Sequence, residues 1–530
     1  MSSGLSSIRY GGGSRRECQA VWPATTDELE RARMTETAAS RTTSGADLDI
    51  RNRAFIDGEY VDAMSGETFE CVSPVTGEVI THIASCNESD VDRAVQGARR
   101  AFESGTWSRS APKHRKRVLL RLAQLINEHR DELALLETMD MGKPIRDAGK
   151  VDVPAAAQCI AYYGEAIDKV YDEVAPTHPD DVVMIVREPL GVVGAVVPWN
   201  YPLLLSAWKL GPALATGNSV ILKPAEQSPL TALRLAELAV EAGVPGGVLQ
   251  VVTGFGETAG QAIGRHPDVD AVAFTGSTEI GKMFLRYAGE SNMKRVALEC
   301  GGKSPQVVMP DCSDLDEAAK SVAWGIFANQ GEVCNAGSRL LVHEDIKEEL
   351  LQRVVQVAEG IRPGDPLDPQ TEMGALVDRT HMQRVLGYID HGTSDGATIR
   401  LGGRRVREDT GGFYIEPTIF DAVTNDMLIA RDEIFGPVLS TITFGDADEA
   451  VRIANDTIYG LSASVWTEDV TTAHRMSRAL RAGVVWVNCY DRGDMTSPFG
   501  GFKQSGFGRD KSIHAMDKYV DLKAIWLHLR

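Results

Sequence analysis

The chain has 530 residues, 43% of them apolar and 24% charged, with 74 acidic against 55 basic side chains and a formal charge of -19. This length accommodates about three structural units with large buried cores, and the composition excludes disordered, collagenous and disulfide-scaffold classes. The acidic balance argues against a broadly basic nucleic-acid surface, while 51 glycines, above the usual ~7%, announce turns set by the backbone.

Residues 1 to about 50 mix Ser, Gly, Arg and acidic residues without an apolar stretch of the signal-peptide kind. They read as a flexible N-terminal extension, in which Met34 offers an alternative translation start. From Ser110, the run APKHRKRVLLRLAQLINEHRDELALLETMD spaces apolar residues at helical intervals and stops at Gly142-Lys143-Pro144. Ala166 to Arg187 ends in the alternating DVVMIVRE, a strand pattern. Pro189 to Trp208 is uncharged over about the ~20 residues a membrane span needs. Three prolines and Asn200 lie inside it, and Pro198 and Pro202 would each break a helical ladder, so short buried segments separated by a turn are expected instead.

After Val182 come short apolar runs closed by Gly, Pro or Asn: VGAVVPWN, NSVILKPAE, VLQVVTGFG and AVAFTGS. Helix-like stretches such as Leu230 to Ala242 alternate with them, which implies a mostly parallel, doubly wound sheet. A second α/β series begins after Glu299 with SPQVVMP, SRLLVHE, a helix from about Ile346 to Glu359, GPVLSTITF, SASVWTED and AGVVWVN. The terminal DKYVDLKAIWLHLR ends in another strand-like stretch. Peripheral strands of this kind add to a partner's sheet, so an oligomer is expected. No repeat of 20 to 50 residues is present in the sequence.

The eight cysteines include no CxxC pair and no zinc-type Cys/His spacing, which points to a reducing, cytoplasmic setting without a structural metal. Gly254 to Gly260 reads GFGETAG, one residue off the G-x-G-x-x-G dinucleotide fingerprint. Gly276 to Gly281 reads GSTEIG and opens a helical stretch directly after AVAFT, where free N–H groups beside Ser277 could hold a phosphate. A plain tight turn explains either loop as well. ILKPAE leaves Lys223 and Glu226 at the carboxyl edge of a strand, where open α/β sheets bind ligands; the pair suits ribose hydroxyls, or is a solvated surface pair. Cys334, in FANQGEVCNAGSR, is bracketed by small residues that admit a ligand, and a following helix start would lower its pKa. Glu299, in ALECGGKS, sits in apolar, Gly-rich surroundings where desolvation raises a carboxyl toward the range of a general base. No histidine stands in a Cys-His or Ser-His-Asp arrangement.

The motifs PWNYP, ILKPAE, FTGSTEIG, LECGGKS, NQGEVCNAGSR, EIFGPV and SPFGGFKQSG, in this order from about residue 50 to the end, closely resemble the aldehyde dehydrogenase superfamily. The resemblance implies an α/β fold with two doubly wound parallel-sheet domains and a small β oligomerisation element. The expected segments are 51–167 and 190–298 for a Rossmann-like NAD-binding domain, 299–505 for the catalytic domain, and 168–189 with 506–530 for a homodimer or homotetramer contact. It further implies oxidation of a small-molecule aldehyde to a carboxylate, with no metal, membrane or nucleic-acid partner. Cys334 would be the nucleophile, Asn200 and the Cys334 N–H would hold the oxyanion, and Glu299 would activate the hydrolytic water. Glu299 speaks for hydrolysis over acyl transfer to coenzyme A. Around the cofactor the resemblance places Pro198 and Trp199, then Lys223 and Glu226 at the adenosine ribose. Gly256, Gly276, Ser277 and Gly281 follow at the phosphates, with Glu433 and Phe435 at the nicotinamide ribose. Glu226 would repel a 2′-phosphate and tilts the choice toward NAD, with NADP left open. Cys300, where many members carry Leu, adds a second thiol near the site.

Within the family, ALLETMDMGKPI, YYGEAIDKVYDEVAPT and GDMTSPFGGFKQSGFGRDKSIHAMDKYVDLKAIW are similar to γ-glutamyl-γ-aminobutyraldehyde and related ω-aminoaldehyde dehydrogenases of polyamine breakdown. Tyr201, Trp208, Tyr490 and Phe499 would line the substrate tunnel, with Asp140 and Asp491 as anionic residues near its mouth. Aromatic walls with acidic groups suit an amine- or amide-bearing aldehyde. They equally suit aliphatic aldehydes, so a broad-specificity or betaine aldehyde dehydrogenase is the alternative. A catalytically silent binding protein on the same fold is the alternative of another class, against which the intact Cys334, Glu299 and Asn200 speak.

Overall fold

The first sheet of the computed structural model, which describes residues 48–530, is built on five parallel strands. Their spatial order is Leu249–Val251, Ser219–Lys223, Val192–Val196, Ala271–Thr275, Arg295–Glu299. The strand that comes first in the chain therefore lies in the middle, and the crossovers run outward from it in both directions. Between their carboxyl ends such a reversal opens a ligand crevice. Four of the five strands are wholly buried, which is why they read as unbroken apolar runs. The hairpin Ala54–Ile56/Glu59–Val61 covers one edge, with Asp57 (φ 55) and Gly58 (φ 89) in its two-residue turn, and Gly506–Phe507 covers the other.

Helix Leu230–Ala242 has the bounds its pattern predicts. The uncharged run after Pro189 resolves into strand Val192–Val196, a turn, and helix Pro202–Thr216. Pro202 does not break this helix: it occupies the first helical position, where the missing N–H would have no partner anyway. Pro212 lies inside the same helix. Helices Pro112–Glu128 and Arg130–Met141 stop at Gly142 (φ 86), as the breaker predicts. Helix Glu88–Ser104, with its Asn87/Asp90 capping box, is an element the sequence reading passes over.

The second sheet carries six parallel strands in the order Thr418–Asp421, Val438–Phe444, Arg339–His343, Pro305–Val308, Ser462–Trp466, Val484–Val487, with Thr398–Leu401 antiparallel at one edge. The expected helix after Arg339–His343 runs Lys347–Gly360. TIRL and TIFD escape the sequence reading because four residues with mixed polarity carry too little pattern.

The third sheet joins Val520–His528 to Asp181–Pro189 over nine antiparallel pairs, with Glu173–Ala175 on the far side. It is smaller than the expected element, because Gly506–Phe507 pairs with Leu298 and Glu299 in the first sheet instead. The outer edge of Val520–His528 has no strand partner among the described residues, and Leu522 and Trp526 stand out from it 63% and 64% exposed. No helix of the described residues is long and apolar enough to cross a membrane. The extension expected over 1 to about 50, with Met34, lies outside the described residues up to position 47.

Candidate active site

Cys334 follows a tightly held turn. Helix Leu315–Phe327 ends, and Asn329 (φ 48) and Gln330 (φ 58) then adopt left-handed backbone that costs side-chain-bearing residues energy. The Asn329 amide donates to the carbonyls of Asn200 (3.3 Å) and Glu332 (3.2 Å), and Gln330 accepts from the Gly374 N–H at 2.9 Å. No helix starts after Cys334, so the expected dipole assistance is absent. Burial, then the carboxylates of Glu433, Glu299 and Asp491, push the thiol well above its ordinary pKa, opposed by the Asn335 N–H.

The Asn200 side chain donates to the Glu332 carbonyl at 2.8 Å, two residues before Cys334. An amide nitrogen has two hydrogens, so the second remains for a ligand oxygen. Glu299 ends strand Arg295–Glu299 at 5% exposure, and both its carboxylate oxygens are buried without a hydrogen-bond partner. Burial first, and Asp510 second, raise its pKa well above the usual carboxylate range, against Lys209, Lys518 and Arg509. Gly500 makes room for it, since a Cβ there would lie 2.7 Å from Glu299 Oε1.

Lys209, Asp510 and Lys518 are absent from the sequence-derived site. Both lysines bond to the buried Asp510 carboxylate. One signal was available: Lys209 is a lone charge in the apolar helix PLLLSAWKLGPALAT, where a buried cation demands a partner.

On the cofactor side, the Lys223 ammonium lies 3.3 Å from Glu226 at the carboxyl edge of the first sheet; burial lowers its pKa while Glu226 raises it. Ser277 caps helix Thr278–Glu290 by accepting from the Ile280 N–H at 3.2 Å. At two expected phosphate glycines the N–H groups are already engaged within the fold. The N–H of Gly281 is bonded to the Ser277 carbonyl at 2.9 Å, and a Cβ there would lie 2.9 Å from the Cys300 sulfur, so this glycine serves packing. The N–H of Gly276 is bonded to the Glu299 carbonyl at 3.1 Å. In GFGETAG the demanding position is Gly254 (φ 125), whose Cβ would meet the Cys86 carbonyl at 2.7 Å, whereas Gly256 is exposed with open space beside it. Burial pushes the Cys300 thiol up to about 12, and its sulfur is packed where a Cβ on Gly281 would lie.

Glu433 accepts from the Gly302 N–H at 3.1 Å, and the absence of a side chain at Gly301 leaves room for its carboxyl, which burial pushes up to about 7. Phe435 (φ 61) is pinned by His381, whose Nε2 meets the Phe435 carbonyl at 2.6 Å. Trp199 packs edge-on against both rings at 5.2 and 5.3 Å, with Pro198 half-buried before it. Burial lowers the His381 pKa to about 4, so the ring is neutral at pH 7. The buried Lys223 with the half-buried Glu226 at the carboxyl edge of the first sheet, and the Glu433 carboxyl seated over Gly301, fit a dinucleotide.

Of the expected tunnel residues, Trp208 and Phe499 pack together with centroids 5.2 Å apart, and Tyr201 holds the Lys143 ammonium 3.9 Å from its ring centre. Lys143 is itself buried between Glu137 and Asp152. Tyr490 is 7% exposed, its hydroxyl donating to the Asn335 carbonyl, and Asp491 accepts from the Asn335 amide at 2.7 Å. Asp140 is not at any mouth. It is wholly buried in helix Arg130–Met141, accepts from the Leu230 N–H at 3.0 Å, and has its pKa raised well above normal by burial.

A doubly wound dinucleotide-type sheet beside a second α/β unit that presents an accessible cysteine is the framework of a cofactor-dependent oxidoreductase. A model described as the Aldehyde dehydrogenase family matches residues 60–525, and the chain belongs to this family and is an aldehyde-oxidising enzyme. It is 56% identical over 482 residues to the NADP/NAD-dependent aldehyde dehydrogenase PuuC of Escherichia coli, covering 91% of this chain and 97% of that one. Among solved structures it is similar to the gamma-glutamyl-gamma-aminobutyraldehyde dehydrogenase from Burkholderia cenocepacia, at 59% identity and TM-score 0.90 over 92% of this chain and 98% of that one. An indole-3-acetaldehyde dehydrogenase complexed with NAD+ matches at 59% identity and TM-score 0.91, over 91% and 98%.

Proposed function

We propose that Cys334 attacks the aldehyde carbon, that the Asn200 amide and the Cys334 N–H receive the oxyanion, and that Glu299 takes the proton of the water that hydrolyses the thioester. What carries this reading is the Glu299 carboxyl, buried with both oxygens unpartnered, together with an Asn200 amide locked two residues from the thiol. A nicotinamide cofactor, when bound, would supply the hydride acceptor for oxidation of the Cys334 thiohemiacetal to the thioester. Lys223 and Glu226 would hold one ribose and Glu433 the other, with Trp199 packed against His381 and against Phe435, which is nearby in sequence. The segments 51–167 and 190–298 form the cofactor domain and 299–505 the catalytic domain. The setting is the reducing cytoplasm, where all seven described cysteines stay free thiols.

The substrate is a nitrogen-bearing aldehyde of polyamine breakdown, γ-glutamyl-γ-aminobutyraldehyde foremost, supported by the likeness to the Burkholderia enzyme. A kcat/KM panel of this aldehyde, 3-aminopropanal, 4-guanidinobutanal, betaine aldehyde and hexanal tests it. The γ-glutamyl compound is expected to lead hexanal by about tenfold, some 1.4 kcal/mol of transition-state binding. A wide margin in favour of hexanal overturns the assignment. Segments 168–189 and 520–530 mediate a homodimer or homotetramer, because the nine-residue outer edge of Val520–His528 carries exposed Leu522 and Trp526. Sedimentation velocity at micromolar protein should show a dimer or tetramer; a lone monomer contradicts this.

A further inference from the structure

Helix Arg379–Ser394 carries His381, Arg384 and Tyr388 three and then four residues apart, a spacing that puts them on one face. All three donate to one short segment, Asp432 to Phe435. His381 Nε2 donates to the Phe435 carbonyl at 2.6 Å, the Arg384 guanidinium to the Glu433 carbonyl at 2.9 Å, and the Tyr388 hydroxyl to Asp432 Oδ2 at 3.1 Å. Glu433 lies between these contacts, and its carboxylate is held from the other side by the Gly302 N–H at 3.1 Å.

The grip falls on a strained turn. Phe435 (φ 61) is left-handed, a conformation that persists in a residue with a side chain only where the surroundings hold it. Its carbonyl can only accept, so the hydrogen of the neutral His381 ring sits on Nε2. The ring is itself fixed on three sides. The Glu332 carboxyl lies 3.6 Å from Nε2, Trp199 meets the ring edge-on at 5.3 Å, and Asp378 accepts from the His381 backbone N–H at 2.7 Å. Glu332 accepts in turn from the Val377 N–H at 3.0 Å. Asn200 and Glu299 are placed by other elements, the Glu332 carbonyl and the end of strand Arg295–Glu299.

We propose that His381, Arg384 and Tyr388 are positioning residues for the cofactor: they hold the chain on both sides of Glu433, and so fix the carboxyl that faces a ribose. They act on cofactor affinity and not on the chemistry at Cys334. The inference rests on the reading of Glu433 as a ribose ligand. Released from the helix, the segment would have to be ordered anew each time the cofactor binds, at a cost in conformational entropy. A loss of this kind weakens ground and transition states alike, so it raises KM and leaves kcat in place.

Calorimetric titration of NAD without aldehyde, beside steady-state kinetics, separates the two effects. His381→Asn removes the donor, because its amide reaches only as far as Nδ1, whereas His381→Gln restores an N–H at the reach of Nε2. The asparagine variant is expected to bind NAD about tenfold more weakly, with KM for NAD raised alike and kcat within about threefold of native. The glutamine variant should stay within about threefold of native in all three quantities. Tyr388→Phe loses only the hydroxyl of a half-buried ring, should weaken NAD about threefold, and decides the matter if the His381 variants do not fold. A Tyr388→Phe variant within roughly 1.5-fold of native affinity overturns the proposal. So do equal losses in the asparagine and glutamine variants, or a kcat that falls about tenfold while NAD affinity holds. Glu433→Gln that binds NAD as the native enzyme does defeats the ribose reading instead, so the two failures are distinct.

Discussion

The Cys334→Ala variant is expected to produce no NADH from any aldehyde, with kcat lowered by roughly 10⁴-fold or more, as when the nucleophile of a covalent mechanism is removed. Cys300 cannot substitute, because its sulfur is packed against Gly281 at 3% exposure, whereas Cys334 is half-buried. Cofactor affinity should survive, since Lys223, Glu226 and Glu433 are positioned by other elements. Absorbance of NADH under saturating aldehyde, with calorimetric titration of NAD alongside, reads both properties. A variant that turns over at a native rate refutes Cys334 as the nucleophile. The environment of this thiol explains why the enzyme does not waste it: burial and three carboxylates hold the protonated form, so the reactive thiolate needs a neighbouring positive charge or a donated hydrogen bond. A nicotinium ring bound beside it would supply such a charge.

Glu299→Gln should give a single burst of NADH and then stall, its steady-state rate lowered by roughly 10²- to 10⁴-fold, the usual worth of a general base. The geometry explains the split. Asn200 and the thiol are untouched by the substitution, whereas the water that cleaves the thioester loses the unpartnered Glu299 carboxylate as its proton acceptor. The pH dependence carries the same signature. Because burial raises the Glu299 pKa, its ionised, proton-accepting form is present above that raised pKa and lost as pH falls through it. Native steady-state turnover should therefore decline on the acid side at a pH well above the ~4.3 of an ordinary glutamate. That limb should vanish from the residual rate of the glutamine variant. Native steady-state turnover in Glu299→Gln would remove the residue from the mechanism.

The extent to which the chain can be read without its structure differs between elements for identifiable reasons. Fully buried parallel strands such as VVGAV and SVILK are continuous apolar runs, and helix Leu230–Ala242 carries its period within thirteen residues, so both are legible locally. Helix Pro202–Thr216 is misread because a proline that breaks a helix interior is harmless at its first position, and only the backbone context separates the two. The state of the N–H groups at the expected phosphate glycines is hidden for a related reason. G-x-G spacing marks a turn, but the hydrogen bonds that use up the N–H groups of Gly276 and Gly281 come from Glu299 and Ser277, and only packing reveals them.

By itself the sequence determined the family and the two doubly wound sheets and nominated the thiol, amide and carboxyl residues, since each is carried by a contiguous motif whose chemistry does not depend on distant contacts. Only the tertiary structure decided the electrostatic surroundings of those groups. Lys209 reaches Asp510 across 301 residues to set a charged pair behind Glu299, Asp140 is withdrawn to the Leu230 N–H, and Lys511 is brought to 5.9 Å from the Trp208 ring centre. Charge interactions fall off with distance in space and strengthen with burial, and neither quantity is written in the spacing of residues along a chain.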